Sequence, residues 1–270
     1  MIKNILIFGV TSDLARPVYL DLKSKKNYKI FGTYRSKNRL RKFKYFDNSQ
    51  NLFKCDFLIE KDIINLKNIF NKKKIKIDII LNFCSIIGEA SIIEKLNFDN
   101  FYKTFKINTV ATLMILKYFG NLMRASKSSL ILNFSGGGGT GPMLRFHSYS
   151  ISKSAITRLT ENVALEQKKY NLIALAPGPI NTKIFEDMID QGKKRTGKVL
   201  WQEMSKRKRS GGASITKFCS FILKLIKLKD KSFLNGRVLS AQYDKFEKLL
   251  KMKNKIMSKN LLVVRRIDKW

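Results

Sequence analysis

The chain predicts an α/β fold, a single Rossmann-type doubly wound parallel sheet of about seven strands with helices on both faces. Short apolar runs alternate with longer amphipathic stretches, the pattern of strands joined by crossover helices. The runs are continuously apolar, as expected of strands covered on both faces. The 270 residues are 44% hydrophobic and 11% aromatic, which supplies a full-sized core and excludes general disorder.

The expected strands are residues 4–9, 28–33, 52–55, 77–81, 130–134, 172–176 and 237–241. Helices are expected between them at residues 14–25, 61–71, 98–125, 149–169 and 213–229. Residues 183–210 read as an insertion over one edge of the sheet, with Gly192, Gly197 and a basic run at 206–209. Residues 245–270 read as a basic tail after the last strand. No internal repeat or proline-rich linker divides the chain, so one domain is expected over 1–244, including the 183–210 segment.

Lysine and arginine number 54 against 20 acidic residues, a formal charge of +34. The lysines are scattered rather than gathered in an arm, and no zinc, helix-turn-helix or RNA-binding signature accompanies them. No specific nucleic-acid partner is therefore expected, although the field favours anionic ligands. Cys55, Cys84 and Cys219 lie far apart, and His147 is the only histidine, a poor basis for disulfides or a metal centre. A reducing, cytoplasmic compartment fits this cysteine usage. No run reaches the roughly 18 apolar residues of a spanning helix. The opening MIKNILIFGVTSD reads as a buried strand rather than a signal peptide. The amphipathic stretch 218–229 could lie on a membrane, but a crossover helix explains it without one.

The first apolar run passes through Gly9, Thr11, Ser12, Asp13 and Leu14 into a helix. Amides at a helix start lack internal partners and carry partial positive charge, which suits a phosphate. Gly9 allows close approach, Thr11 and Ser12 bring hydroxyls, and Ser12 or Asp13 can cap the helix. The second strand is followed by Arg35, with no acidic residue nearby. In dinucleotide folds an acid there favours NAD and an arginine accommodates the extra phosphate of NADP, so NADP(H) is expected over NAD(H).

Tyr149 and Lys153 are four apart and share a helix face. An adjacent ammonium lowers a phenol pKa, and the pair can then exchange a proton with a substrate oxygen. Tyr19 and Lys23, and Tyr102 and Lys106, have the same spacing. Only Tyr149 follows a buried strand and a glycine-rich loop, and only it precedes a strand ending in Pro177-Gly178.

At this point the chain resembles the short-chain dehydrogenase/reductase family in its single-domain form, from about Ile5 to about Asp244. Gly9 to Ala15 sits where the family has its glycine-rich turn, with Asp13 and Ala15 in place of the second and third glycines. Cys55-Asp56-Phe57 resembles the segment whose aspartate faces the adenine. Asn82-Phe83-Cys84-Ser85 takes the place of Asn-Asn-Ala-Gly. Asn108 matches the helix asparagine, Tyr149 and Lys153 the catalytic pair, and Pro177-Gly178-Pro179-Ile180-Asn181-Thr182 the loop that closes on nicotinamide. Leu234 to Asp244 resembles the last strand. The family serine stands thirteen residues before the tyrosine, where this chain has Gly136, so Ser135 is the candidate to replace it.

The resemblance implies hydride transfer between a nicotinamide cofactor and a small-molecule carbonyl or alcohol. Tyr149 would exchange the proton, Lys153 would lower its pKa and hold the ribose, Asn108 would orient a water, and Ser135 would polarise the carbonyl. It also implies a homodimer or homotetramer built on the two long helices. The glycines at 136–139 and 141 suggest a roomy pocket for a bulky or sugar-like substrate. The alternative reading is a catalytically silent NADP-binding sensor or scaffold, supported by Gly136 and the depleted glycine turn.

Overall fold

Seven strands form one sheet: β1 (Lys3–Phe8), β2 (Tyr28–Tyr34), β3 (Leu52–Lys54), β4 (Ile79–Asn82), β5 (Leu130–Phe134), β6 (Asn171–Ala176) and β7 (Val238–Ser240). The computed structural model describes residues 2–46, 51–259 and 261–265. All the strand pairs are parallel, in the order β3-β2-β1-β4-β5-β6-β7. This is the expected doubly wound sheet. The order reverses beside β1, which opens a crevice at the carboxyl ends of β1 and β4.

The helices are α1 (Ala15–Lys23), α2 (Lys37–Arg41), α3 (Glu60–Lys72), α4 (Phe98–Phe105), α5 (Ala111–Phe119), α6 (His147–Glu166), α7 (Lys183–Ile189), α8 (Gly192–Thr196), α9 (Lys198–Ser210), α10 (Ile215–Lys227), α11 (Phe246–Lys251) and α12 (Lys253–Ser258). Alternate strand residues feed two cores. Ile5, Ile7, Ile79, Leu81, Leu130, Leu132, Ile173 and Leu175 meet Val18 and Leu22 of α1 and Phe218, Ile222 and Leu225 of α10. Leu6, Phe8, Ile80, Ile131 and Leu172 point the other way, against Ile63 and Phe70 of α3 and Ile115 and Phe119 of α5. Burial on both faces is why the strands read as unbroken apolar runs. Each such side chain contributes about 1.5–3 kcal/mol of transfer free energy. Helix α10 is thus a covered crossover helix, and no helix among the described residues is long and apolar enough to cross a membrane.

Three expectations need correction. The single helix expected over 98–125 is broken: α4 runs into a π-helical turn at Lys106–Val110, then into α5 and a 3-10 turn at Gly120–Leu122. The π turn carries Asn108, whose side chain bonds to neighbouring segments, so the break follows a tertiary demand. Residues 183–210 are not a simple insertion over a sheet edge. They form α7, α8 and α9, and Phe185, Met188 and Met204 close a small core with Ile87, Ala90 and Phe146. The segment after Asp244 is no loose tail through its described part. It forms α11 and α12, which bury Phe246, Leu249 and Ile256 in the first core, and the Leu262 carbonyl accepts the Val238 N–H at 2.8 Å. The many lysines of that segment hide its apolar stripe. Asn260 and residues 266–270 lie outside the described residues.

Candidate active site

The turn after β1 is shaped by Gly9. Its φ is +76°, and a Cβ there would sit 3.0 Å from the Cys84 Sγ. Only glycine takes this conformation and this approach of β1 to β4 without strain. The Gly9 N–H donates to Thr33 Oγ1 at 3.1 Å. The helix cap is Ser12, whose Oγ accepts the Ala15 N–H at 3.2 Å. Asp13 instead pairs with Arg16 at 2.8 Å and Arg39 at 3.8 Å, and its other oxygen accepts the Lys183 N–H at 2.6 Å. Its charge is therefore offset in the turn where a phosphate would approach, and α7 is fastened across the opening.

From this turn a cleft of about 370 Å³ extends toward α6. Thr11, Ser12, Asp13 and Leu14 form one end of its wall, with Arg35 just after β2. Arg39, one helical turn beyond Arg35, also lines it. Sequence reasoning missed Arg39, although it falls in the α2 turn capped by the Ser36 Oγ. Asp56 and Phe57 follow β3 on the same wall; Asp56 Oδ1 accepts the Leu58 N–H at 3.0 Å, and Phe57 packs against Phe8 with centroids 5.4 Å apart. Asn82 lies behind the cleft. It donates to Thr112 Oγ1 and Asn133 Oδ1 and accepts the Cys84 N–H at 3.2 Å, tying β4 to α5 and β5. Burial holds the Cys84 thiol protonated, well above its ordinary range. Pro177 and Thr182 border the far side. Gly178 has φ +89° and faces Gln242, where a side chain would collide, and Ile180 is buried beside it.

Helix α6 brings Tyr149 and Lys153 to the cleft, one turn apart. Lys153 Nζ donates to the Phe134 carbonyl at 2.8 Å and lies 5.4 Å from the Tyr149 ring centroid. The expected lowering of the phenol pKa is not found. Burial pushes Tyr149 up to about 12, and the group that pulls it down is Arg207, not Lys153. Burial also brings Lys153 down to about 7, with Cys84 acting in the opposite sense. The reason is common to both: Lys153 is buried and Tyr149 partly so, and loss of water penalises the charged form of each.

Ser135 lines the cleft with Tyr149 and Lys153, and Asn108 is buried. Ser135 Oγ lies 3.2 Å from Thr157 Oγ1, about two turns along α6 from Tyr149. The position that faces Tyr149 is Gly136, where a Cβ would stand 3.1 Å from the phenol oxygen. Successive residues of an extended chain point to opposite sides, so Ser135 does not substitute for a side chain at 136. Asn108 uses its full hydrogen-bonding capacity on protein. Its Oδ1 accepts from Ser85 Oγ and the Ile86 N–H, and its Nδ2 donates to the Ile86 carbonyl and Ser152 Oγ. It thus joins the segment after β4 to α6 rather than offering a group to water. The glycine run makes a short turn at Gly137–Gly139 packed on α6, where the Gly138 carbonyl accepts Ser150 Oγ at 2.9 Å. A Cβ at Gly138 would lie 3.1 Å from the Ser150 Cα, so close packing explains that glycine.

The residues present fit a dinucleotide. Gly9 allows a turn at the head of the cleft that a Cβ would press against Cys84, the acid beside it is neutralised, and the cleft continues to a tyrosine–lysine pair. Such a crevice at the switch point of a doubly wound parallel sheet is where dinucleotide-binding proteins of this fold hold their ligand. The family model of the short chain dehydrogenases matches residues 3–193. The chain belongs to that family, and it is an NAD(P)-dependent short-chain dehydrogenase/reductase.

Among curated proteins it is 29% identical over 186 residues to the NADPH-dependent pterin aldehyde reductase of Arabidopsis thaliana, covering 67% of this chain and 76% of that protein. Matches to two further curated relatives span 27% and 45% of their lengths. Among solved structures, ElxO with NADP bound shares the fold with a TM-score of 0.72 and 24% identity, covering 89% of this chain and 97% of the other. The KRED1-Pglu enzyme reaches a TM-score of 0.79 at 19% identity, over 87% and 99%.

The placement of Ser135 generates a test. Ser135→Ala removes one buried hydrogen bond and costs about 1 kcal/mol of stability, read by denaturant unfolding. Its turnover stays within about threefold of the parent, far short of the roughly 10²–10³ lost with an oxyanion donor.

Proposed function

We propose that this enzyme reduces a carbonyl compound with NADPH, Tyr149 giving its proton to the substrate oxygen. The observation that supports this reading best is the cleft leading from the Gly9 turn to a partly buried Tyr149 that holds its proton at neutral pH. The cofactor, when bound, supplies the hydride to the carbonyl carbon. Gly9, Thr11, Ser12 and Leu14 hold its pyrophosphate side, and Asp56 and Phe57 border its adenine. Pro177, Gly178, Ile180 and Thr182 border its nicotinamide side, with Asn82 and Cys84 shaping the floor. Lys153 binds the ribose and its ammonium stabilises the phenolate that forms as the proton leaves. Asn108 is a positioning residue that holds 85–86 against α6.

The preference for NADP rests on Arg35 and Arg39, which bring two guanidinium groups where a 2′-phosphate would lie, with no acid at the end of β2. The NADPH dependence of the pterin aldehyde reductase, and the NADP bound in ElxO, agree with it. Pairing of subunits through α4–α5 and α6 would cover Phe98, Tyr102, Leu113 and Ile151, which are exposed in the single chain. A second reading, the catalytically silent NADP sensor, draws on Gly136, which puts no hydroxyl beside the phenol.

Replacing Tyr149→Phe removes turnover by at least about 10²-fold while NADPH binding persists. Stopped-flow oxidation of NADPH and fluorescence titration measure the two, and undiminished turnover overturns the assignment. NADPH binding without turnover of any carbonyl compound by the parent protein favours the sensor. Lys153 is charged below about pH 7 and neutral above it, so reductive turnover falls as pH rises through that value. A pH–rate profile flat across neutrality removes the ammonium from the mechanism. Arg35→Ser combined with Arg39→Ser weakens NADPH by about 10–100-fold and leaves NADH nearly unchanged, read as dissociation constants. An equal loss for both cofactors refutes the phosphate contact.

A further inference from the structure

Of the basic run at 206–209, only Arg207 turns inward; Lys206, Lys208 and Arg209 are exposed. Its Nη2 donates to the Ile180 carbonyl at 2.5 Å and its Nε to Asn181 Oδ1 at 3.0 Å. The guanidinium lies 3.9 Å from the centroid of the Phe185 ring. Phe185 belongs to the small apolar core against which Tyr149 also packs, so α9 brings this cation onto the same core as the phenol. Both acceptors are uncharged, and no ion pair forms at Arg207 among the described residues, although the half-buried Arg16 and Arg39 and the exposed Arg195 all have one. Burial pushes Arg207 down to about 10, while Tyr149 pulls it up.

A half-buried guanidinium without a counter-ion is an unfavourable arrangement unless a ligand completes it. Two of its five N–H donors are committed to the protein, which leaves enough for a planar carboxylate to accept two parallel bonds. Gly136 leaves the space beside the phenol oxygen clear of any side chain.

Resting on the reductase reading above, we propose that Arg207 is a specificity-determining residue that binds a carboxylate carried by the substrate beside the carbonyl, so that the substrate class is an oxo acid. The carboxylate is unchanged in the reaction. The carbonyl carbon gains a C–H bond from the NADPH hydride, its C=O π pair moves to oxygen, and that oxygen takes the Tyr149 proton. The products are a hydroxy acid and NADP⁺, and solvent returns one proton to the phenol.

The test is a calorimetric titration of the full chain with NADP⁺ bound, using pyruvate, phenylpyruvate, benzoylformate and 2-oxoglutarate and their neutral methyl esters. The parent, Arg207→Lys and Arg207→Gln are compared. At least one acid binds the parent about 10–100-fold more tightly than its ester, as a charged hydrogen-bonded pair provides. Arg207→Gln loses that preference, and Arg207→Lys keeps part of it. NADP⁺ affinity and the circular dichroism spectrum, the same in all three, show that the variants fold. No acid bound, an ester bound as tightly as its acid, or a preference surviving in Arg207→Gln overturns the proposal. NADPH oxidation with the same compounds is read separately. Acid binding lost in Arg207→Gln without any oxidation keeps the anion site and removes the reductase reading; oxidation of esters and acids alike does the reverse.

Discussion

Lys153 reaches from the inside of α6 to the carbonyl of Phe134, the last residue of β5, and the site is arranged around that 2.8 Å bond. It anchors the helix to the strand end and fixes which turn of α6 faces the crevice, placing Tyr149 one turn away. The ammonium is almost wholly out of water. A buried cation loses hydration and recovers only part of it from a single carbonyl, which explains why it titrates near neutrality. The phenol suffers a partial burial with the opposite result, since its neutral form holds the proton. The pair at rest is thus a proton donor beside a cation that is easily discharged.

Charge compensation governs the other end of the crevice. An aspartate at a pyrophosphate turn repels phosphate unless it is neutralised. Arg16 and Arg39 neutralise Asp13, and the Lys183 amide takes its remaining oxygen. One carboxylate therefore stands in the turn without dominating its field, and it also joins the first turn to α7.

The small core around Phe185 and Met204 joins α7 and α9 to the segment after β4 and the start of α6. Ser135 turns toward Thr157, Gly136 leaves the phenol without a hydroxyl neighbour, and Arg207 of α9 stacks on Phe185 of the core that Tyr149 packs against. Arg207 is distant in the chain from the other two, and its place beside this core is a product of packing.

Much of the fold was legible in the chain. Continuous apolar runs of strand length, spaced by amphipathic stretches, specify strands buried on both faces whatever else surrounds them, because the two faces draw on alternate residues of one run. Gly9, Tyr149 and Lys153 were legible for a related reason: a tight turn after a strand and a one-turn helical spacing are local geometry. The break at Lys106–Val110, the burial of α11 and α12, the inward turn of Arg207 and the direction of Ser135 were not. Each depends on a partner far away in sequence. Tertiary structure alone also set the proton affinities of Tyr149 and Lys153, since they follow from loss of water around each group, and exclusion of water is a property of the packed molecule.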